Sequence, residues 1–333
     1  MIETGLITIA RKYRGVRVLV LGATGFIGRW VARALADAGA ALVIAIRDTQ
    51  LCQEVFEGGI SAQILEIDLL DQNSVKRLIE DIAPIVIFNL AGYGVDRSER
   101  NQLIAWQMNA ALPLEIGASL AATPAGSWTG QRLVHVGSAL EYGKSGGELR
   151  EDTEPMPTTL YGRSKLAGTW ALQDVSQNSG LPSVTARLFT VYGPGEHEGR
   201  LLPSLVDAVN NRTSIGLTDG LQKRDFTYVL DVVEGLLRLG LAHTPPGEII
   251  NLATGQLRTV RQFAETAAEE LQLPSTHLQF GALPMRKDEM EHGSVSTLRL
   301  RHYTSWTPSI GIREGIRHAL LAKSRAHKFS ESL

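Results

Sequence analysis

Cysteine is almost absent: Cys52 is the only one in 333 residues. That excludes an internal disulfide framework and fits a reducing compartment such as the cytoplasm. Cys52 stands in a polar stretch with no His/Asn pattern nearby and reads as a bystander. Charge of one sign is also lacking. The net charge of −2 gives no electrostatic reason to expect nucleic acid or an anionic membrane as partner. No apolar run approaches the roughly 18 residues that would span a bilayer. The eight histidines are scattered without ligand spacing, so no metal site is expected. The opening MIETGLITIARKYRG has neither an apolar block nor a small-residue cleavage site, and is expected to be a short ordered or frayed extension. Internal repeats and low-complexity tracts are missing too.

What is present is a 44% hydrophobic chain, long enough to bury a full core as two closely joined lobes. VRVLVLG is a short run of apolar, mostly β-branched residues, as a strand covered on both faces should be. It leads into a helix in which Ile27, Val31, Leu35 and Ala38 recur at helical spacing, with Gly39 as its stop. ALVIAI, AQILEID, PIVIFNLAG and RLVHVGS repeat the strand signal between helical segments. This alternation predicts an α/β fold, a doubly wound parallel sheet with helices on both faces. After SVTARLF the rhythm breaks into a smaller, loop-rich lobe. The boundaries expected are a dinucleotide domain over 14–189, with 236–274 returning to it, and a substrate lobe from 190–235 and 275–333. The lobe should lie over the carboxyl ends of the strands, where open α/β sheets bind ligands.

Gly22-x-x-Gly25-x-x-Gly28 joins the first strand to the first helix. Glycines suit that place because the turn is tight and the backbone must approach a pyrophosphate held at the helix amino end. Tyr161-x-x-x-Lys165 puts both side chains on one helix face, a turn apart. A phenol of reference pKa near 10 is a poor acid or base at neutral pH; an ammonium beside it stabilises the phenolate. Ser138 ends the fifth strand. With this spacing of glycines and this Ser, Tyr and Lys, the chain resembles the extended short-chain dehydrogenase/reductases, the sugar-nucleotide epimerase, dehydratase and 4-ketoreductase branch with a Rossmann-type sheet. The resemblance runs over roughly residues 16 to 322.

That resemblance implies a catalytic set of Ser138, Tyr161 and Lys165, with Lys165 also on the cofactor ribose. It further implies cofactor contacts from Gly22, Gly25, Phe26, Ile27, Gly28, Asp68, Leu69, Leu90 and Ala91. An NAD site carries an acid at the end of the second strand. Here Ile46 stands there and Arg47 follows, which favours NADP, with Arg47 on a 2′-phosphate; NAD is the alternative, with Asp48 doing the ribose work. The substrate implied is a nucleotide-diphosphate sugar. Asn109 resembles the asparagine that supports the active site, and Glu141 and Tyr142 are expected on the substrate side. ARLFTVYGPG is similar to the family's RxxNVYGPG, with Thr190 replacing the asparagine. Arg224 and Arg286 fall where the family clamps the diphosphate, a task that suits bidentate guanidinium groups.

Family dehydratases carry an acid pair directly after the serine. Ala139 and Leu140 occupy those positions and cannot move a proton. Glu141 comes one residue later and, on an extended chain, points the other way. Dehydration is therefore not expected. The reading is an NADPH-dependent reduction of a sugar C4 ketone. A 4-epimerase using NAD is the alternative, and a non-catalytic NADP-binding regulator stands behind both. Apolar positions on more than one face of the helices around 102–120 and 161–177 suggest, by the resemblance, a homodimer through a four-helix bundle.

Overall fold

The computed structural model describes residues 2–96, 98–285, 289–290 and 293–330. Seven parallel strands make the central sheet: β1 (Arg17–Leu21), β2 (Ala41–Ile46), β3 (Gln63–Glu66), β4 (Val86–Asn89), β5 (Leu133–Ser138), β6 (Ser183–Leu188) and β7 (Glu248–Leu252). Their order is β7-β6-β5-β4-β1-β2-β3, the doubly wound arrangement the alternation predicts. The order reverses beside β1, so the crevice for a ligand opens there, at the carboxyl ends of β1 and β4. Val18–Leu21, β4 and β6 are buried throughout, as apolar runs covered on both faces must be. One face is filled by Leu19, Leu21, Ile87, Leu133 and Ile116. The other packs Val20, Val31 and Leu35 against Val232 and Leu236.

A second core lies outside the sheet and includes Tyr192, Leu205, Phe226, Phe263 and Ile316. It is organised on the small sheet Thr190–Tyr192, Lys223–Tyr228 and Leu257–Thr259. The helix Val260–Leu271 places Val260, Phe263, Ala264 and Ala267 in this second core, while Leu236, Leu237, Leu239, Ile250 and Leu252 pack into the core of the central sheet. The helix Val229–Leu241 buries Val232, Val233 and Leu236 on the sheet side before 236. At the amino end, Ala10 and Tyr13 already belong to the sheet's core, and the Tyr13 hydroxyl donates to Leu237 O at 2.7 Å. Apolar spacing shows that a helix face is buried but not which sheet receives it. Among the described residues no helix is long and apolar enough to cross a membrane.

Candidate active site

The glycine turn sits where the fold predicts a ligand. Gly22 has φ +76°, and a Cβ there would lie 2.7 Å from Ala91 N, so the first turn closes against the end of β4 only with glycine. A Cβ on Gly28 would come within 2.0 Å of Gly22 O. The helix Gly28–Asp37 that follows has no side-chain cap and no acid in its first turn. No carboxylate therefore offsets the positive end of the helix dipole at the crevice, which fits an anionic pyrophosphate. Phe26 and Ile27 are half-buried on the turn; Leu90 is half-buried and Ala91 buried at the end of β4. Asp68 and Leu69 follow β3, and the Asp68 carboxylate accepts from Leu70 N at 3.0 Å.

At the end of β2, Ile46 is buried and Arg47 exposed. Asp48 is committed elsewhere: it caps the helix Thr49–Val55 by accepting from Leu51 N at 3.0 Å. The residues present thus fit a dinucleotide, with the Arg47 cation exposed at the end of β2.

Ser138 ends β5, and the helix Leu160–Ser179 carries Tyr161 and Lys165 in its first turns. The Thr159 side chain starts that helix by accepting from Gly162 N at 2.9 Å. The three residues come together. Ser138 Oγ accepts from Leu140 N at 3.2 Å, which leaves its proton to give. Burial, then the charge of Glu141, push the Tyr161 phenol well above its ordinary value, against a hydrogen bond from Ser138 and the charge of Arg200. Lys165 is buried, donates to Val136 O at 3.1 Å, and lies 6.0 Å from the Tyr161 ring centre. Burial lowers its ammonium to about 8, with Glu141 pulling the other way. A lysine poised near neutrality beside a phenol can support proton transfer.

Glu141 and Tyr142, expected on the substrate side, are instead beneath the site, as is Asn109, expected to support it. Asn109 is wholly buried. Its Oδ1 accepts from Tyr93 N at 2.9 Å, and its Nδ2 donates to Tyr93 O at 2.7 Å and to Ser164 Oγ at 2.9 Å. The π-turn Gln107–Ala111 carries this side chain, which straps the loop after β4 to the catalytic helix. Glu141 is also fully buried. The chain does not stay extended after Ser138 but folds into a 3-10 turn, Ala139–Glu141. Glu141 therefore swings back under the strand, accepting from Ser138 N at 2.8 Å and from Arg187 Nε at 2.8 Å. Tyr142 is buried too, its hydroxyl giving a 2.7 Å hydrogen bond to Asn251 Oδ1 and its ring lying 4.5 Å from the Arg187 guanidinium. No substrate reaches either side chain in this arrangement.

Arg187 is a residue that pattern reading missed. It sits in β6 beside Gly137 of β5, and the RxxN segment was the available signal. Thr190 and Arg224 line a cavity of about 160 Å³ with Glu196, Arg200 and Phe226. Arg224 is held by Glu289, and Arg286 lies outside the described residues. Glu196 and Arg200, 3.6 Å apart, were not read from the sequence either. Burial raises the Glu196 carboxyl to about 7, partly offset by Arg200.

The family model described as "NAD dependent epimerase/dehydratase family" matches residues 18–253. A probable UDP-glucuronate 4-epimerase of Rhizobium meliloti is 26% identical, covering 90% of this chain and 95% of that protein. A dTDP-6-deoxy-L-talose 4-dehydrogenase (NAD(P)(+)) of Kitasatospora kifunensis is 27% identical, covering 93% and 96%. The solved structure of MoeE5 in complex with UDP-glucuronic acid and NAD superposes with a TM-score of 0.78 at 25% identity, over 93% of this chain and 99% of that one.

Proposed function

Since the chain belongs to the NAD-dependent epimerase/dehydratase family, we propose that it works at C4 of a sugar carried on a nucleoside diphosphate, as an NADPH-dependent 4-ketoreductase. The bound nicotinamide cofactor supplies the hydride. Tyr161 gives its phenolic proton to the carbonyl oxygen, Ser138 donates a hydrogen bond to the same oxygen, and Lys165 holds the phenolate charge that results. Ala139 and Leu140 leave no acid pair for elimination. The observation that carries the reductase reading is the end of β2, with Asp48 spent on a helix cap and Arg47 exposed.

Arg47→Glu is the test. It should weaken NADPH binding by about 10–100-fold, the worth of a charge-assisted phosphate contact, and leave NADH nearly untouched. Equal loss for both cofactors, by titration calorimetry, sinks the NADPH assignment. A second reading, a 4-epimerase that retains NAD, is favoured by the relative solved with UDP-glucuronic acid and NAD. Protein that purifies with NAD⁺ and turns over without added cofactor would establish it.

The cavity around Thr190 and Arg224 is proposed to hold the diphosphate end of the substrate. Glu196 ionises as pH rises through about 7. Its charge then faces an anionic ligand, so KM should rise above pH 7, and Glu196→Gln should flatten that rise. A KM profile identical in both proteins removes Glu196 from the binding path.

The same proposal includes a homodimer through the helices Gln102–Trp106, Leu112–Ala121 and Leu160–Ser179. Leu103 is 67% and Trp170 50% exposed on them, and large apolar side chains left in water point to a partner. Light scattering should give twice the 36.2 kDa chain mass, falling to one chain in Leu103→Glu/Trp170→Glu. A monomeric wild type at micromolar concentration ends the assignment.

A further inference from the structure

We propose that Glu141 is a positioning residue of the catalytic site: its buried carboxylate fixes the Ser138 turn and is the counter-charge that keeps the Lys165 ammonium in the protein interior. The proposal rests on Tyr161 and Lys165 being the proton-transfer pair.

Three observations carry it. The carboxylate is placed by a dedicated geometry, with Oε1 on Ser138 N at 2.8 Å and Oε2 on Arg187 Nε at 2.8 Å. The strand makes room for it: a Cβ on Gly137 would lie 2.6 Å from Oε1, so any other residue there would expel the carboxylate. Lys165 is 2% exposed and donates to Val136 O at 3.1 Å, the residue next to the Gly137 against which Oε1 lies, and a buried ammonium needs negative charge nearby as well as hydrogen bonds.

The other charges facing this cluster do not supply it. Arg187, stacked on Tyr142, is a cation committed to Glu141. Arg200 and Glu99 act on Tyr161 from the solvent side with opposite signs. Glu151, which acts on Tyr142, is bound to Asn251 N. His135, beside Lys165, is held neutral by burial and by the lysine's own charge, and its Nδ1 meets Asn89. Glu141 thus favours one charge state of the pair, ammonium with neutral phenol. That is the state from which a ketone receives a proton. The carboxylate never touches the substrate; it acts through Ser138, Tyr161 and Lys165.

The experiment follows the Lys165 titration in the substrate-free protein by ¹³Cε-lysine NMR, with the resonance assigned by its loss in Lys165→Met. This reading does not depend on turnover, so it stands or falls apart from the reductase assignment. The wild-type midpoint should lie near 8. Glu141→Gln removes the anion, so the midpoint should fall by about one unit or more. The loss of kcat on the alkaline side should then begin at correspondingly lower pH. Glu141→Asp keeps the charge and should return both profiles toward wild type, even with a lower kcat from a loosened Ser138 turn. Should Glu141→Gln fold poorly beside an unpaired Arg187, the double variant Glu141→Gln/Arg187→Gln is compared with Arg187→Gln, so that the cation is missing from both and only the carboxylate differs; the midpoint should be lower in the double variant. A Lys165 midpoint unmoved in Glu141→Gln, or equal in Arg187→Gln and the double variant, overturns the proposal.

Discussion

Tyr161→Phe should lower turnover by about two to four orders of magnitude while leaving substrate and cofactor affinity nearly intact. The substitution keeps the half-buried ring against the helix and against Lys165, 6.0 Å from its centre, and removes only the hydroxyl. On the proposed ketoreduction, what is lost is the proton destined for the carbonyl oxygen at C4. Ser138 cannot replace it, because an alkyl hydroxyl stabilises the oxygen by hydrogen bonding and does not readily give its proton away. A fall in kcat with unchanged KM marks an interaction made in the transition state. A comparable fall in affinity would mean that the ring had moved. Full turnover in the Phe variant, measured as NADPH oxidation with a nucleotide-linked 4-keto sugar, would remove Tyr161 as the proton donor.

The contrast between Tyr161 and Glu141 shows what kind of information the chain gives away in one dimension. Tyr161 and Lys165 are legible because helix geometry fixes the relation of residues four apart, and nothing distant is needed to bring them to one face. The glycine turn is legible for the same reason, since Gly22 to Gly28 make their own loop and the strand before it is a plain apolar run. Glu141 depends on one local decision that spacing does not reveal. Ser138 caps a 3-10 turn instead of continuing the strand, which reverses the direction of the third residue after it. Tyr142 depends on Asn251, 109 positions away, and only the pairing of β6 with β7 brings that partner within reach. The packing of the helix Val260–Leu271 is likewise a long-range matter. Its apolar face was plain, but the surface that receives it is set by the lobe's small sheet. Short-range geometry announced the chemistry, whereas long-range packing decided which neighbours tune it.

Arg187→Met should be the most destabilising single change in the active-site region, at a cost of about 3–5 kcal/mol. Arg187 is 1% exposed and the Glu141 it meets is fully buried, so neither ion is screened by water. Removing the cation leaves Glu141 with the Ser138 amide at 2.8 Å and no opposite charge at contact distance. The stack on the Tyr142 ring is lost with it, although methionine refills part of that volume. For a chain of this size such a loss lowers the melting midpoint by about 4–7 °C. The companion variant Glu141→Leu/Arg187→Met removes both ions and should recover most of the stability, because a buried ion pair contributes little beyond an apolar pair of similar volume. It should not recover activity, since the Ser138 turn and the anion beside Lys165 are both gone. A double-mutant cycle on denaturant midpoints separates the pair's coupling from the cost of stranding one charge. If Arg187→Met costs less than about 1 kcal/mol, the range of exposed ion pairs, then water reaches Glu141 and the carboxylate is not the sealed charge that the geometry describes.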